Sequence, residues 1–337
     1  MRCSRPRRST ILTTTTSTSA DAKPVAVDLN GADGGPDLVK EGARLADTPV
    51  SLFGGEEITN DEDPAFAVRS NADASIVRAA KAVGAGEAGA LVSAGSTGAL
   101  LAASLFHVKR IKGVHRPAIA VLLPLPGKPV LLLDAGANVD VRPEYLVQFA
   151  YMGAAFMETV HGVTRPAVGL LSIGEEAKKG TDVVVAAHAQ LSQGTLDFAG
   201  NVEGSALATV DVVVTDGFTG NVSLKLMEGT AKTVAGAVRD AIRSGLVSSL
   251  GGLLVRRRLA GLREQLDPNT TGGAILLGVR RPVVVAHGKS SAEGIANAVR
   301  LARRAAEENM VERTAAALEQ GGALRSAPAA SFASSHD

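Results

Sequence analysis

The chain has 337 residues, 37 of them glycine, and only 3% of its residues are aromatic. Its formal net charge of +1 gives no general attraction to nucleic acid, so no nucleic-acid partner is expected. The single cysteine, Cys3, excludes a disulfide framework and a thiolate metal site, and no apolar run reaches the roughly 18 residues of a membrane span. A reducing cytoplasm is the expected location.

The two ends of the chain differ in composition from the rest. Residues 1–20 contain four arginines, many hydroxyl side chains and no acidic residue. This composition is typical of an organelle transit peptide, and a disordered tail or a start codon placed too far upstream would also explain it. We predict a disordered tail over residues 1–23. A second disordered tail is predicted over 320–337, and a single α/β domain over 24–310.

Apolar, β-branched runs alternate with helical patterns between the tails. The predicted strands are 24–28, Ala90–Ser93, Ala118–Leu123, Val130–Asp134, Val168–Ile173, Val210–Thr215 and Val283–Ala286. The predicted helices are Pro36–Ala46, Ala74–Val83, Gly98–Phe106, Pro143–Met157 and Asp182–Leu191. Strands that alternate with helices of this length indicate βαβ units and a mainly parallel sheet.

The pattern of residues 220–266 predicts a protruding helical hairpin, two long helices with a break at residues 244–252. Apolar residues cluster at the break from Leu246 to Val255, and Arg256–Arg258 follow them. Such a hairpin packs in a dimer interface, or its tip and arginines contact an anionic membrane surface. We favour dimer packing, with which membrane contact is compatible.

Two glycine-bracketed turns connect a predicted strand to a helix. Glycines let a ligand approach the backbone, and the free N–H groups of a first helical turn attract anions. Both turns therefore predict binding of an anionic small molecule. The candidates are Ser93, Gly95, Ser96, Thr97 and Gly98 in the first turn, and Asp216, Gly217, Thr219, Gly220 and Asn221 in the second.

Three further strand ends carry polar side chains that a packed core does not need. They contribute Asp134 and Asn138, then Glu175, Lys178 and Lys179, then Asn201 and Glu203. Any one of these segments could be a structural turn, in which Asp, Asn and Gly serve backbone geometry. Together with the turn at Asp216, they favour a site at the carboxyl ends of the strands.

The sequence has no cysteine inside the predicted fold, no Gly-x-Ser-x-Gly motif and no cluster of histidines. A covalent intermediate, a metal or a cofactor is therefore not expected. An enzyme of this kind acts by positioning and charge, and phosphate is a nucleophile that needs only orientation. The motif Gly84-Ala-Gly-Glu-Ala-Gly89 matches a dinucleotide fingerprint, but it follows a helix and precedes a strand, the reverse of the required order.

The chain resembles the acyl-ACP:phosphate acyltransferase family over most of residues 25–305. The matching stretches include SAGSTGALLA, RIKGVHRPAIAVLLP, LLLDAGANVDVRPEYLVQFAYMG, VGLLSIGEEAKKG, FAGNVEG, DVVVTDGFTGNVSLKLMEG, GGAILLG and AHGKSS. The resemblance implies a three-layer α/β/α fold like that of phosphotransacetylase and isocitrate dehydrogenase. It also implies a homodimer that associates peripherally with membranes.

The activity that the resemblance implies is transfer of a long acyl chain from acyl carrier protein (ACP) to inorganic phosphate. The acyl phosphate would pass to a membrane-bound glycerol-3-phosphate acyltransferase, in the first step toward phosphatidic acid. In this scheme Asp216, Asn221, Lys225 and His287 are the expected catalytic residues. Either glycine-bracketed turn could hold phosphate. The alternatives are a short-chain phosphotransacetylase and a non-catalytic paralogue that binds carrier protein or lipid.

The chain departs from the family pattern at several positions. Asp28 and Asp33 keep the two aspartates of an Asp-Ala-Met-Gly-Gly-Asp motif whose middle is altered, and both are expected to bind substrate. Ser96 replaces an asparagine, and Pro268 and Thr271 replace tyrosines. Between Phe53 and Pro64, GGEEITNDEDP stands in place of a longer helix–strand unit, a loss expected to remove a strand from the sheet.

Overall fold

A computed structural model describes residues 23–324 except 124, 126, 246–247, 249–250, 252–254, 256–260, 262–269 and 271. Ten strands form one mixed sheet in the order β2-β1-β3-β10-β9-β4-β5-β8-β6-β7. The strands are β1 (Val25–Asp28), β2 (Val50–Phe53), β3 (Ala90–Ser93), β4 (Ala118–Leu123), β5 (Val130–Leu133), β6 (Ala167–Leu171), β7 (Asp197–Val202), β8 (Val212–Val214), β9 (Ala274–Leu277) and β10 (Val283–Val285).

Helices cover both faces of this sheet and give the predicted three-layer α/β/α arrangement. They are α1 (Gly35–Leu45), α2 (Pro64–Ser70), α3 (Ser75–Ala85), α4 (Thr97–Ala103), α5 (Pro143–His161), α6 (Asp182–Leu191), α7 (Gly217–Arg243), α8 (Ala292–Glu307) and α9 (Met310–Gln320). Alternate strand residues face opposite sides, so the sheet has two apolar cores. The core that contains Phe149 packs under α1, α5, α6, α8 and α9, and the core that contains Leu100 packs under α2, α3, α4 and α7.

Four strands on each side of the sheet are parallel to one another, and the two groups of four run in opposite directions. Strands β1 to β4 and β10 point one way, because β10 pairs antiparallel with β9, β9 with β4, and β4 with β5. Strands β5 to β9 point the other way. Starting from the two outermost strands, β2 and β7, and reading toward the centre, the strand orders are β2-β1-β3-β10-β9 and β7-β6-β8-β5-β4. Each of β1 to β5 thus has a counterpart among β6 to β10, in the same chain order.

This internal symmetry explains why the two glycine-bracketed turns look alike in sequence. Ser93-Ala-Gly-Ser-Thr-Gly98 follows β3, and Thr215-Asp-Gly-Phe-Thr-Gly220 follows its counterpart β8. Both turns share the pattern Gly-x-Thr-Gly and lead into a helix on the same face of the sheet. Because their strands are antiparallel, however, the two turns lie at opposite edges of the sheet.

The predicted strands are confirmed to within two residues at each end, and three others were missed. The missed strands β2 and β9 have only four residues each, and β7, which has six, is polar and interrupted by Gly200 (φ +91°). Residues 54–63, where a strand was expected to be lost, form a loop whose Glu56 bridges to Ala74. Helix α9 packs against α5, and the amide of Gln148 donates to the carbonyl of Ala323, so the packed chain extends past residue 310.

The first arm of the predicted hairpin is a single helix, α7, of 27 residues. Only Gly217, Gly220 and Leu224 are buried in it, so most of its length is exposed on this chain. Most of the predicted break and second arm, and the two tails at 1–22 and 325–337, lie outside the described residues. None of the described helices is both long and apolar enough to cross a membrane.

Candidate active site

Four strands of the second half, β5, β8, β6 and β7, are adjacent and parallel, so their carboxyl ends meet at one edge of the sheet. Their following segments are the polar turns that the sequence analysis selected. Hydrogen bonds join the turns after β5 and β8. The backbone N–H of Gly217 donates to the carbonyl of Asn138 across 2.7 Å, and the amide of Asn221 donates to the carbonyl of Ala135 across 3.1 Å.

Asp134 organises the turn after β5. Its side chain has no exposed surface, and it accepts hydrogen bonds from the backbone N–H groups of Ile119, Gly136, Ala137 and Asn138 and from the Asn138 amide. Burial raises the pKa of Asp134, and these hydrogen bonds partly oppose that effect. The oxygens of Asp134 are therefore occupied by the turn itself, and substrate binding by Asp134 stays a prediction.

Asp216 begins α7. Its carboxylate accepts a hydrogen bond of 2.8 Å from the N–H of Thr219, the standard N-cap contact, and the rest of the side chain stays partly exposed. Glycine is required beside it, because a Cβ on Gly217 would lie 2.7 Å from the Asn138 carbonyl and one on Gly220 would overlap the Asp134 carbonyl. With the Gly217 and Thr219 donors used, the N–H of Phe218 is the first-turn donor left to a ligand.

Asn201, at the end of β7, fixes the loop after β6. Its amide nitrogen donates to the carbonyls of Glu176 (2.8 Å) and Lys179 (3.3 Å). Its oxygen, Oδ1, is buried and has no hydrogen-bond partner in the described part of the chain. Glu175, Lys178 and Lys179 are exposed on this loop, and Glu203 is half-buried beyond it.

A second group of predicted residues lies at the opposite edge, after β1, β3 and β10. Ser93 donates to the carboxylate of Asp28 across 2.7 Å, and both side chains, predicted to bind substrate, are buried. Burial raises the pKa of Asp28, and hydrogen bonds from Ser75 and Ser93 oppose the rise. Gly31 (φ +86°) lies so close to Gly95 that a Cβ on Gly31 would overlap the Gly95 Cα. The N–H of Asp33 donates to the Gly288 carbonyl.

Accessible residues remain in this second group. Asp33, Thr97 and His287 are exposed, while Gly95, Ser96 and Gly98 are half-buried. Ser96 caps α4 by accepting from the N–H of Ala99. The structure therefore does not unite His287 with Asp216 and Asn221 at one sheet edge, as the predicted catalytic set required.

Lys225 also lies apart from the turns. It is eight residues after the start of α7, about 12 Å along the helix axis, and its ammonium group pairs with Glu228 at 2.9 Å on an exposed surface. Lys178 and Lys179, the other predicted cations, are exposed on the loop after β6 that Asn201 holds. Neither of these two lysines has a carboxylate partner in the part of the chain that the structure describes.

Sequence reasoning missed three apolar residues beside the polar turns. Val139, Ile173 and Phe218 follow the ends of the neighbouring strands β5, β6 and β8, and they are 66%, 81% and 62% exposed. A single exposed apolar residue is ordinary, but three on adjacent strand ends form an apolar rim. Their signal was present in the sequence, because each interrupts a polar turn with a large apolar side chain.

The arrangement combines donors for an anion with a neighbouring apolar surface. A family model described as fatty acid synthesis protein matches residues 37–313. The chain belongs to this family. It is 41% identical over 316 residues to a phosphate acyltransferase of Anoxybacillus flavithermus, covering 86% of this chain and 96% of that protein. It is 40% identical over 314 residues to one of Staphylococcus aureus MW2, with 86% and 96% coverage.

Membership of this family identifies the chain as an acyltransferase whose reaction is acyl transfer involving phosphate. Solved structures agree on the fold. A phosphotransacetylase from Streptococcus pyogenes superposes with a TM-score of 0.54 at 16% identity, covering 85% of this chain and 94% of that one. The EutD phosphotransacetylase from Staphylococcus aureus gives 0.52 at 17%, with 86% and 95% coverage.

Proposed function

We propose that this acyltransferase moves a long-chain acyl group from acyl-ACP to inorganic phosphate and releases acyl phosphate. The observation that carries the proposal is the joining of two surfaces at one sheet edge. The Asp216–Asn221 turn and the lysines after β6 suit a phosphate, and the rim of Val139, Ile173 and Phe218 suits an acyl chain.

Phosphate lies between the start of α7 and the loop that Asn201 holds. The N–H of Phe218 and the ammonium groups of Lys178 and Lys179 bind its oxygens. One phosphate oxygen attacks the thioester carbonyl, forming a C–O bond as the C–S bond breaks. The proton of the attacking phosphate reaches the departing thiolate, with Asp216 as the exposed carboxylate that can relay it.

The tetrahedral intermediate needs a donor for its oxyanion. Asn221 uses its amide to hold the Ala135 carbonyl, and its second amide hydrogen is available for this purpose. Residues of the opposite edge, including His287, are placed outside this reaction.

We infer a homodimer through α7. The helix exposes Val222, Leu226, Val234 and Val238, which are separated by four or eight residues, and this is more apolar surface than a solvated helix needs.

The product is consumed by a membrane-bound glycerol-3-phosphate acyltransferase in phospholipid synthesis, and the enzyme works in the cytoplasm, peripherally on an anionic membrane surface. An unstable acyl phosphate favours such proximity.

The test is phosphate-dependent release of carrier thiol from palmitoyl-ACP, with the acyl phosphate trapped by hydroxylamine. Thiol release matched by acyl hydroxamate supports the proposal. Release only from acetyl-coenzyme A would establish a short-chain phosphotransacetylase instead. A folded protein that binds palmitoyl-ACP and releases no thiol at any phosphate concentration would be a non-catalytic binder.

A further inference from the structure

Two loops next to the candidate active site, residues 109–117 before β4 and residues 278–282 between β9 and β10, carry a concentration of positive charge. The longer segments that contain them, residues 88–133 and 268–292, have no aspartate or glutamate. Within them lies a set of cations that we call the basic surface: Lys109, Arg110, Lys112, Arg116, Arg280 and Arg281. All six side chains are exposed, and none forms an ion pair with a described residue.

Backbone pairing holds the two loops of the basic surface together. Arg110 bridges antiparallel to Val279, Ile111 donates to the Gly278 carbonyl across 2.9 Å, and Arg280 donates to the Lys109 carbonyl across 3.0 Å. The guanidinium of Arg280 also donates to the Arg110 carbonyl at 3.0 Å. The cations are therefore presented on a fixed platform, although their mutual repulsion opposes the pairing.

The structure keeps this arrangement despite a second cost. Lys109 adopts φ +69°, a left-handed conformation that disfavours a residue with a side chain. Strain of this kind persists where the surrounding structure enforces it and is frequent at functional positions. Lys109, Lys112, Arg116 and Arg281 make no side-chain hydrogen bond within the described ranges, so packing of the chain does not account for their charges.

The basic surface begins directly beside the candidate active site. Arg116 precedes Pro117, whose carbonyl accepts a 2.8 Å hydrogen bond from the Asn138 amide, and two residues later the N–H of Ile119 donates to Asp134. At its far side the surface borders a cavity of about 280 Å³, where Glu307 and Glu312 restore negative charge beside Arg281 and Arg303. A partner seated on the basic surface thus reaches the site from one defined direction.

We propose that the basic surface docks the acidic face of the protein that carries the acyl thioester. Charge complementarity selects this occupant, because a protein with clustered carboxylates neutralises cations that the chain itself leaves unpaired. The proximity of Arg116 to the turn of Asp134 and Asn138 then places the thioester within reach of the phosphate. The proposal rests on the proposed function, since it assumes that the donor is carried by a protein.

Charge reversal tests the assignment. We expect Lys112→Glu with Arg281→Glu to raise KM for octanoyl-ACP about tenfold or more at low salt, and to remove most of the salt dependence seen in the wild type. Turnover of octanoyl-pantetheine, which lacks the carrier, stays within about twofold of wild type. A matched control, Lys40→Glu with Arg313→Glu, reverses two exposed cations outside the basic surface and leaves both donors unaffected.

Direct binding separates failure of this inference from failure of the proposed function. Titration of fluorescent ACP onto the full chain, without phosphate, should show binding that the reversal variant loses and the control keeps, whether or not any donor is turned over. Equal binding by all three proteins overturns the docking surface. It is also overturned if the reversal variant keeps its affinity for ACP and instead loses sedimentation with anionic phosphatidylglycerol vesicles, since the surface then belongs to the membrane.

Discussion

The side-chain amide of Asn221, near the start of α7, donates a hydrogen bond to the backbone carbonyl of Ala135, 3.1 Å away in the turn after β5. This contact joins two segments that are 86 residues apart and sets the distance between α7 and the turn that Asp134 organises. Together with the bond from the Gly217 N–H to the Asn138 carbonyl, it holds the start of α7 against this turn.

We expect Asn221→Asp to lower kcat/KM for phosphate at least tenfold, because a carboxylate cannot donate to Ala135 and repels the incoming anion. The free energy of unfolding should fall by only about 1 kcal/mol, the typical contribution of one hydrogen bond. Phosphate titration of thiol release and urea unfolding measure the two effects. Ser223→Ala, two residues further along α7, serves as the control, and an equal loss of activity there would remove the special role of Asn221.

Two glycines of α7 differ in the space around them. A Cβ at Gly220 would overlap the carbonyl oxygen of Asp134, whereas a Cβ at Gly229 would meet nothing within 4 Å. Gly220→Ala should therefore destabilise the fold by about 2–3 kcal/mol through overpacking. Gly229→Ala should stabilise it by about 0.5–1 kcal/mol, since alanine loses less backbone entropy in a helix. Thermal unfolding of both variants would contradict this account if they shifted in the same direction.

Asp28 makes stability depend on pH with a defined sign. Burial raises its pKa, so at pH values between its ordinary and raised pKa the folded state binds more protons than the unfolded state. The free energy of unfolding therefore increases as pH falls through the raised pKa. We expect wild type to gain stability relative to Asp28→Asn as the pH falls from neutral toward the ordinary pKa of an aspartate. His161, whose pKa burial lowers, acts oppositely but cancels, because both proteins contain it. A difference independent of pH would show that Asp28 is ionised throughout.

Strand positions were largely predictable from the sequence, and strand directions were not. The apolar runs at Ala90–Ser93 and Ala118–Leu123 match β3 and β4 residue for residue. Nothing in such a run shows that β9 pairs antiparallel with both β10 and β4, because that pairing depends on residues far apart in the chain. From the sequence, the turns after β3 and β8 are therefore alternative phosphate sites, and only the strand directions show that they lie at opposite edges.

Burial distinguishes polar residues that look alike in the sequence. Asp134 and Asp216 each follow an apolar strand and precede a glycine within two residues, so the sequence predicts similar roles for them. In the structure Asp134 is enclosed by the donors of its own turn, and Asp216 keeps part of its carboxylate exposed.

Kinetics can distinguish the role of Lys178 and Lys179 from that of Lys225. Lys178 and Lys179 lie on the loop held by Asn201, while Lys225 pairs with Glu228 about two turns from the start of α7. We expect Lys178→Gln with Lys179→Gln to raise KM for phosphate about tenfold with little change in kcat, since the charges bind ground state and transition state alike. Lys225→Gln should leave KM within about twofold. The reverse pattern would return the phosphate-binding role to Lys225.

The apolar rim distinguishes donors by chain length. Ile173 is 81% exposed, so Ile173→Asp removes no core packing and leaves the free energy of unfolding within about 0.5 kcal/mol of wild type. A carboxylate there opposes burial of an acyl chain, whose contribution is about 0.8 kcal/mol per buried CH₂. KM should therefore rise with the length of the acyl chain, strongly for palmitoyl-ACP and little for butyryl-ACP, while KM for phosphate stays constant. If both donors lost affinity equally, Ile173 would contact the carrier rather than the chain, and the rim would have to be assigned to protein recognition.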